Sequence, residues 1–258
     1  MDRKIFRLQR GPLPVSLSIV IPAYNEEKRL PDTLDRVRRY LGGLPDQNWE
    51  CIVVDDGSKD ATAEIVTATA NTEPRFRLVR NPGNRGKGYA VRNGMLAATG
   101  EWRLFTDADL SAPIEELAKL QKSARGYNAV IALGSRAVNR TLVSVPQSPI
   151  REYAGRFFNL TVRAVTGLPF LDTQCGFKLY RGDAAQAVFS RQIENGFSFD
   201  VEDLMIAHVL KLRMVEVPVR WANVEGTKVG AWSGAKSFLD LASIRVRALI
   251  GRYDDDPA

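Results

Sequence analysis

Residues 17–41 read LSIVIPAYNEEKRLPDTLDRVRRYL, and the fold follows from how this stretch changes its hydrophobic period. Leu17 to Ile21 is a short apolar run rich in β-branched residues and halted at Pro22, the pattern of a buried strand. From Glu26 to Leu41 the apolar positions are Leu30, Leu34, Val37 and Leu41, which is helical spacing, and Gly42 and Gly43 end the helix. A buried strand handing over to an amphipathic helix is one βα unit, and the unit repeats. Cys51 to Val54 is a second strand, with Ser58 expected to cap a helix running to about Ala70. Phe76 to Val79 is a third strand. A Gly-rich turn from Asn81 to Gly88 opens a helix to Ala98, and Trp102 to Phe105 is a fourth strand.

Strands separated by helices of this length require right-handed crossovers. The expected fold is therefore α/β, Rossmann-like, with a mostly parallel central sheet and helices on both faces. Ligands of such sheets bind at the carboxyl ends of the strands. The polar clusters fall at those ends: Tyr24-Asn25-Glu26 after the first strand, Asp55-Asp56 after the second, Asp107-Ala108-Asp109 after the fourth. Three separate segments thus point into one crevice.

The second half is less regular. Val130 to Leu133 reads as a strand, followed by a loop with Pro146 and Pro149. Helices are expected over Ile150 to Val165, Phe199 to Leu210 and Ala235 to Ile250, with a strand over Met214 to Val219. The last helix places Phe238, Ala242, Val246 and Leu249 on one face, with Lys236, Asp240 and Arg247 opposite and Arg245 beside the apolar stripe. His208 reads as a structural histidine on a helix with apolar neighbours. The tail Asp254-Asp255-Asp256 reads as a solvated end.

The chain has 258 residues, 45% of them hydrophobic and 26% charged, an ordinary globular balance that argues against disorder. The domain expectation is a single unit over 1–258, in two halves at about 17–110 and about 111–250. The net charge of +6 suits a phosphate-bearing partner. Basic residues are interleaved with acids and the strand-end clusters are acidic, so a nucleic-acid backbone is not the expected partner. Cys51 and Cys175 are far apart, which indicates neither a disulfide framework nor a zinc site. Met1 to Arg10 is basic with no apolar run behind it, and no stretch of about 18 apolar residues occurs anywhere.

Asp107 and Asp109, with one residue between them, can share a hard cation such as magnesium or manganese. Alternatively one binds metal and the other a ribose hydroxyl. Such a cation keeps open positions that diphosphate oxygens fill, and it neutralises a nucleoside-diphosphate leaving group. Asp55-Asp56 suits recognition of the N–H and O–H donors of a base or ribose. Lys87 lies in Asn81-Pro82-Gly83-Asn84-Arg85-Gly86-Lys87-Gly88, where Gly88 follows the Gly-Lys pair instead of Ser or Thr. That is no P-loop. It is a permissive turn carrying a cation.

Ile19-Val20-Ile21-Pro22-Ala23-Tyr24-Asn25-Glu26-Glu27, Val53-Val54-Asp55-Asp56-Gly57-Ser58 and Asp107-Ala108-Asp109 resemble the family-two, GT-A-type glycosyltransferases. Asp172-Thr173-Gln174-Cys175-Gly176-Phe177-Lys178, Phe199-Asp200-Val201-Glu202 and Glu225-Gly226-Thr227-Lys228 narrow the resemblance. They are similar to the dolichyl-phosphate β-glucosyltransferases and, more loosely, the dolichyl-phosphate mannose synthases. The resemblance implies a UDP- or GDP-sugar donor, inversion at the anomeric carbon and a polyprenyl-phosphate acceptor. It implies that Pro22, Ala23, Tyr24, Glu26, Asp55, Lys87, Asp107 and Ala108 line the donor site. By the same resemblance Asp107 and Asp109 hold Mg2+ or Mn2+, Asp109, Arg136 and Arg151 are the catalytic residues, and Arg136 and Arg151 hold the acceptor phosphate. An acceptor phosphate is already anionic, so positioning and charge compensation replace a strong base.

Eukaryotic members of this branch carry an N-terminal membrane anchor and some relatives carry C-terminal membrane helices, and neither kind of segment is read here. The expectation is peripheral contact with the cytoplasmic face of a membrane through the last helix and the Pro146 to Arg163 region, with ordinary core packing under a basic outer face as the equal alternative for both. A second reading moves the sugar to a glycan or other hydroxyl acceptor. That reaction needs a carboxylate base, for which Asp172, Glu202 and Asp203 are the candidates. A nucleotide-sugar pyrophosphorylase would open with a Gly-rich loop that is not found.

Overall fold

The strand that begins the pattern, β1 (Leu17–Ala23), is buried along nearly all its length, and its two faces feed two different cores. This comes from a computed structural model that describes residues 15–44, 48–146, 148–224 and 231–254, without the side chains of 149–151 and 231–236. The Glu225-Gly226-Thr227-Lys228 motif, Met1 to Arg10 and the tail from Asp255 lie outside the described residues, as do the side chains of Arg151 and Lys236.

After β1 come α1 (Leu30–Gly42), β2 (Trp49–Asp55), α2 (Thr62–Thr72), β3 (Phe76–Arg80), α3 (Lys87–Ala97) and β4 (Trp102–Thr106). The second half runs α4 (Leu117–Gly126), β5 (Ile131–Ser135), β6 (Val143–Val145), α5 (Pro149–Thr166), β7 (Phe177–Arg181) and α6 (Gly182–Phe189). It closes with α7 (Phe199–Val209), β8 (Met214–Pro218), β9 (Trp221–Ala222) and α8 (Ala231–Leu249). One seven-stranded sheet, in the order β3-β2-β1-β4-β7-β5-β8, takes strands from both halves, and β6 pairs with β9 in a small second sheet. All neighbours in the large sheet are parallel except β7, which runs antiparallel to β4 and β5.

Alternation along each strand divides the apolar residues. Val20, Ile52, Val54 and Phe105 pack with α3, α6, α7 and the buried parts of α5 and α8. Ile19, Ile21, Cys51, Val53 and Leu104 pack with α1 and α4 on the other face. Burial on both sides is what makes these strands read as unbroken apolar runs.

The reversed strand positions the site. Because β7 is antiparallel, Phe177 at its start pairs with Thr106 at the end of β4. The Asp172–Gly176 segment therefore enters at the edge where β1, β2, β4 and β5 end.

Several expectations are corrected. Ser58 does not cap α2: the helix starts at Thr62, and the Asp60 carboxylate accepts from the Thr62 amide at 3.0 Å. Ser58 Oγ instead accepts from the Asn25 amide at 2.9 Å, tying the loop after β1 to the loop after β2. His208 is exposed on α7, not a satisfied core group. The second half is a regular extension of the sheet, and β7 and α6 had no counterpart in the sequence reading. The apolar stripe of α8 faces the opposite way from a core stripe. Leu241 and Ile244 are buried, whereas Val246 and Leu249 are 55% and 67% exposed. Asp240 and Arg247, the expected outer face, turn inward to Ser198, Glu194 and Glu202.

Candidate active site

Loop stapling builds the rim. Asn25 adopts φ 52, a left-handed conformation that Asn tolerates better than most residues, and its Oδ1 accepts from the Lys59 amide at 2.8 Å. The Glu26 amide donates to Thr62 Oγ1 at 2.8 Å, and Arg29 clasps the Glu26 carboxylate at 2.8 and 2.9 Å. Pro22 and Ala23 end β1 beside Val54 and Asp55 of β2, so the residues expected to line a donor site share one rim.

The two adjacent acids do different work. Asp56 is consumed internally: it accepts from Asn81 Nδ2 at 2.7 Å and from the Arg85 and Gly86 amides at 3.0 and 2.8 Å. It fixes the turn that delivers Lys87, where Gly86 takes φ 102 and a side chain would collide with the Asn195 carbonyl. Asp55 takes one bond at Oδ1, from the Ser58 amide at 2.9 Å. Its buried Oδ2 has no hydrogen-bond partner, although Arg80, opposite it in register, approaches to 3.5 Å. A buried acceptor left over at a strand end is available to a ligand donor.

Asp107 leaves β4 with its amide bonded to the Gly176 carbonyl at 3.2 Å. A Cβ at Gly176 would run into the Asp107 carboxylate, so the glycine is the cradle in which that carboxylate rests. Lys87 Nζ meets Asp107 Oδ1 at 2.7 Å and lies 5.4 Å from the Phe105 ring centroid. Leu110 turns the chain at φ 45, and Asp109 Oδ1 accepts from the Ser111 amide at 2.9 Å. Burial, and then the Asp107 charge beside it, push the Asp109 carboxyl above the usual aspartate range. Ala108 is buried between the two acids, its carbonyl accepting from Thr33 Oγ1 at 2.6 Å.

These residues fit a hard divalent cation. They offer carboxylate oxygens, one of them in a cradle only glycine permits, and a crowding of negative charge that a cation relieves. Among the described residues no three His, Cys, Asp or Glu side chains gather as a closed metal cage.

Arg136, just past β5, is gripped by Asp172: Nε to Oδ2 at 2.7 Å, Nη2 to Oδ1 at 2.8 Å, and its amide to Oδ2 at 3.0 Å. Burial works against the Arg136 charge, and Asp172 outweighs it, holding the guanidinium firmly protonated. Burial likewise opposes ionisation of Asp172, and Arg136 carries its carboxyl below the usual range. Arg136 stays 27% exposed, reachable from the crevice. Arg151 lies on the first turns of α5, but its side chain is outside the described set.

The three candidate bases are all engaged. Asp172 belongs to Arg136. Glu202 accepts from the Ile193 and Glu194 amides at 2.9 and 2.6 Å, from Tyr253 at 2.8 Å and from Arg247. Asp203 is fully buried, taking Tyr180 Oη at 2.6 Å and Lys178 Nζ at 3.3 Å. The hydroxyl-acceptor reading thus loses each base named for it.

The sequence reading assigned no role to Lys178 and Asp200. Lys178 has no solvent exposure and pairs with both Asp200 and Asp203. The five groups Asp203, Lys178, Asp200, Lys87 and Asp107 thus alternate in sign from the core to the rim. A lysine inside the apolar run Phe177 to Tyr180 was the available signal.

Exposed apolar side chains recur on α5 and α8. Tyr153, Phe157 and Leu160 of α5 and Leu239, Val246, Leu249 and Ile250 beside them on α8 and its end are exposed. Phe238 joins the two helices, 6.2 Å from Phe157 and 5.4 Å from Phe158 between ring centroids. Arg156, Arg163 and Arg252 are exposed on the same segments. Among the described residues no helix is long and apolar enough to cross a membrane.

The glycosyl transferase family 2 model matches residues 18–189. The human dolichyl-phosphate beta-glucosyltransferase is 36% identical over 249 residues, covering 92% of this chain and 77% of that protein. The corresponding Saccharomyces cerevisiae protein is 34% identical, covering 94% and 78%, and one from Trichomonas vaginalis is 38% identical, covering 92% and 72%. Among solved structures, Mycobacterium tuberculosis glucosyl-3-phosphoglycerate synthase with Mn2+, UDP-glucose and phosphoglyceric acid superposes with a TM-score of 0.65. It is 19% identical and covers 94% of this chain and 81% of that one. That likeness carries the GT-A fold.

Proposed function

The chain belongs to glycosyl transferase family 2, and from that premise we propose that it moves glucose from UDP-glucose to a dolichyl-type polyprenyl phosphate with inversion. The observation that carries the acceptor class is the Asp172–Arg136 pair: a guanidinium locked in orientation at the sheet edge, with the three candidate bases Asp172, Glu202 and Asp203 already bonded. An anionic acceptor needs such a cation and no base; a hydroxyl acceptor needs the reverse.

The donor half, 17–110, supplies Asp55 for the base and Tyr24, Glu26, Pro22 and Ala23 as walls. Lys87 faces the diphosphate, and Asp107 and Asp109 hold Mn2+ or Mg2+, with Ala108 between them. A divalent cation held there would supply charge neutralisation for the departing diphosphate. The acceptor half, 111–250, supplies Arg136 and Arg151 for the acceptor phosphate, within a single domain. Asp109 and Arg136 flank the reacting centre as charge-placing groups. The exposed platform of α5 and α8, apolar with an arginine rim, rests on an anionic membrane surface at the cytoplasmic face, where the lipid acceptor's head is presented. This accounts for a helix whose apolar face turns outward.

The test supplies sugar-labelled UDP-glucose, Mn2+ and either a short polyprenyl phosphate or a free glycan. Label should pass only to the lipid phosphate, and Asp109→Ala should abolish transfer while melting normally. Transfer only to the glycan, or full activity of Asp109→Ala, would overturn the reading. Replacing UDP-glucose with GDP- or dTDP-sugars should remove the activity.

A further inference from the structure

Lys87 occupies an unusual place for a donor-binding lysine. Its ammonium is 2.7 Å from Oδ1 of Asp107, the first acid of the pair assigned to the metal. The backbone that delivers it is fixed, since Asp56 pins the amides of Arg85 and Gly86 just before it. A lysine ammonium rides on a flexible four-carbon stem; this one lies 5.4 and 6.0 Å from the Phe105 and Phe199 centroids, with its side chain 22% exposed. Of the other anions whose charge reaches it, Asp200 is committed to Lys178 and Asp109 accepts from the Ser111 amide. Within this pocket Asp107 is thus the carboxylate on which Lys87 rests.

A lysine ammonium and a divalent cation on one carboxylate repel one another at contact range, and partial burial keeps solvent from screening the repulsion. We propose that Lys87 and the divalent cation compete for Asp107, and that the donor's diphosphate decides the contest by drawing the ammonium onto itself. Metal binding is then conditional on nucleotide, and Lys87 is the residue that imposes the condition. The inference rests on the donor-site reading above and adds to it a coupling: metal and diphosphate each raise the other's affinity by the same factor. A cation held only when the sugar nucleotide is present keeps the acid pair from trapping metal unproductively.

The experiment measures Mn2+ binding to the purified chain by the electron paramagnetic resonance of free Mn2+, with and without UDP. Wild type should bind Mn2+ weakly alone and about tenfold or more tightly with UDP, within the usual range of coupling between sites. Lys87→Met should bind Mn2+ alone about tenfold more tightly than wild type and lose most of the UDP effect. Lys87→Arg, which keeps the cation, should behave more like wild type. A lysine that merely supported the fold would not tighten metal binding on removal. Lys87→Gln serves if Lys87→Met fails to fold. Unchanged Mn2+ affinity in the neutral variants, with the UDP effect intact, overturns the proposal and leaves the donor site standing. No Mn2+ binding by wild type even with UDP overturns the donor-site reading itself, and the proposal with it.

Discussion

Gly176 and Glu50 show how much a single position decides here. Gly176 has no motif chemistry, yet a methyl group there would displace the Asp107 carboxylate. Gly176→Ala is expected to lower metal-dependent transfer by about 100-fold or more, the scale of losing one preorganised charge-stabilising group. UDP with Mn2+ should also no longer raise its melting temperature. A variant that keeps that thermal shift would show that the cradle is dispensable. Glu50 accepts from Ser18 Oγ, the Thr99 amide and Thr99 Oγ1 at 2.7, 2.7 and 2.8 Å, and from Arg77 at 2.9 Å. Burial alone would raise its carboxyl, but the bonds from Ser18 and Thr99 and the Arg77 charge outweigh it and leave the group below the usual glutamate range. Its contribution to stability is therefore present above the unfolded-state value and lost as pH falls through the folded one. Glu50→Gln should be about 1–3 kcal/mol less stable than wild type at neutral pH. In denaturant titrations that gap should close below about pH 4. A gap independent of pH would contradict the assignment.

At the scale of elements, α8 is the informative case. Its heptad-like spacing is equally compatible with a stripe facing in or out, because periodicity fixes a face and not its direction. The direction is set by Ser198 and by Glu194 and Glu202, which bind Asp240 and Arg247 and roll the helix so that Leu241 and Ile244 enter the core. Two substitutions separate the faces. Leu241→Ala should cost about 2–5 kcal/mol, the usual loss for a buried leucine. Leu249→Ser should change the unfolding midpoint little and weaken sedimentation with vesicles containing anionic lipid. If Leu249→Ser destabilises as much as Leu241→Ala, the outward face is packing and not platform. Strand β7 teaches the complementary lesson. Phe177 to Tyr180 is short and interrupted by Lys178, so nothing local distinguishes it from a loop; its pairing with β4 and β5 makes it a strand.

Across the whole molecule, a row of alternating charge links the core to the crevice. Lys178 sits between Asp200 and Asp203, with Tyr180 also bonded to Asp203. Burial holds both carboxyls above the usual aspartate range, and Lys178 opposes that rise. Removing the ammonium leaves two buried acids uncompensated, so Lys178→Met should lose about 3–5 kcal/mol at neutral pH. The deficit should shrink as pH falls and the acids take up protons, which unfolding measured at pH 8 and pH 5 would reveal. An equal deficit at both values would mean that the acids are neutral throughout.

The first half of the fold was legible because β1 and β2 are buried on both faces and the helices on one, so the period of the sequence changes where the structure does. The strand-end acids were legible for the same reason: a polar residue directly after a buried run sits at a sheet edge whatever the rest of the chain does. Local pattern could not settle which acid of Asp55-Asp56 keeps an open acceptor, that Asp172 orients Arg136 instead of acting as a base, or which way α8 faces. Each depends on the partner that a side chain meets across 25 or more positions. A hydrogen bond of that span leaves no trace in local periodicity, so the sequence by itself determined where the chemistry lies, and only the tertiary packing decided how its charges are paired.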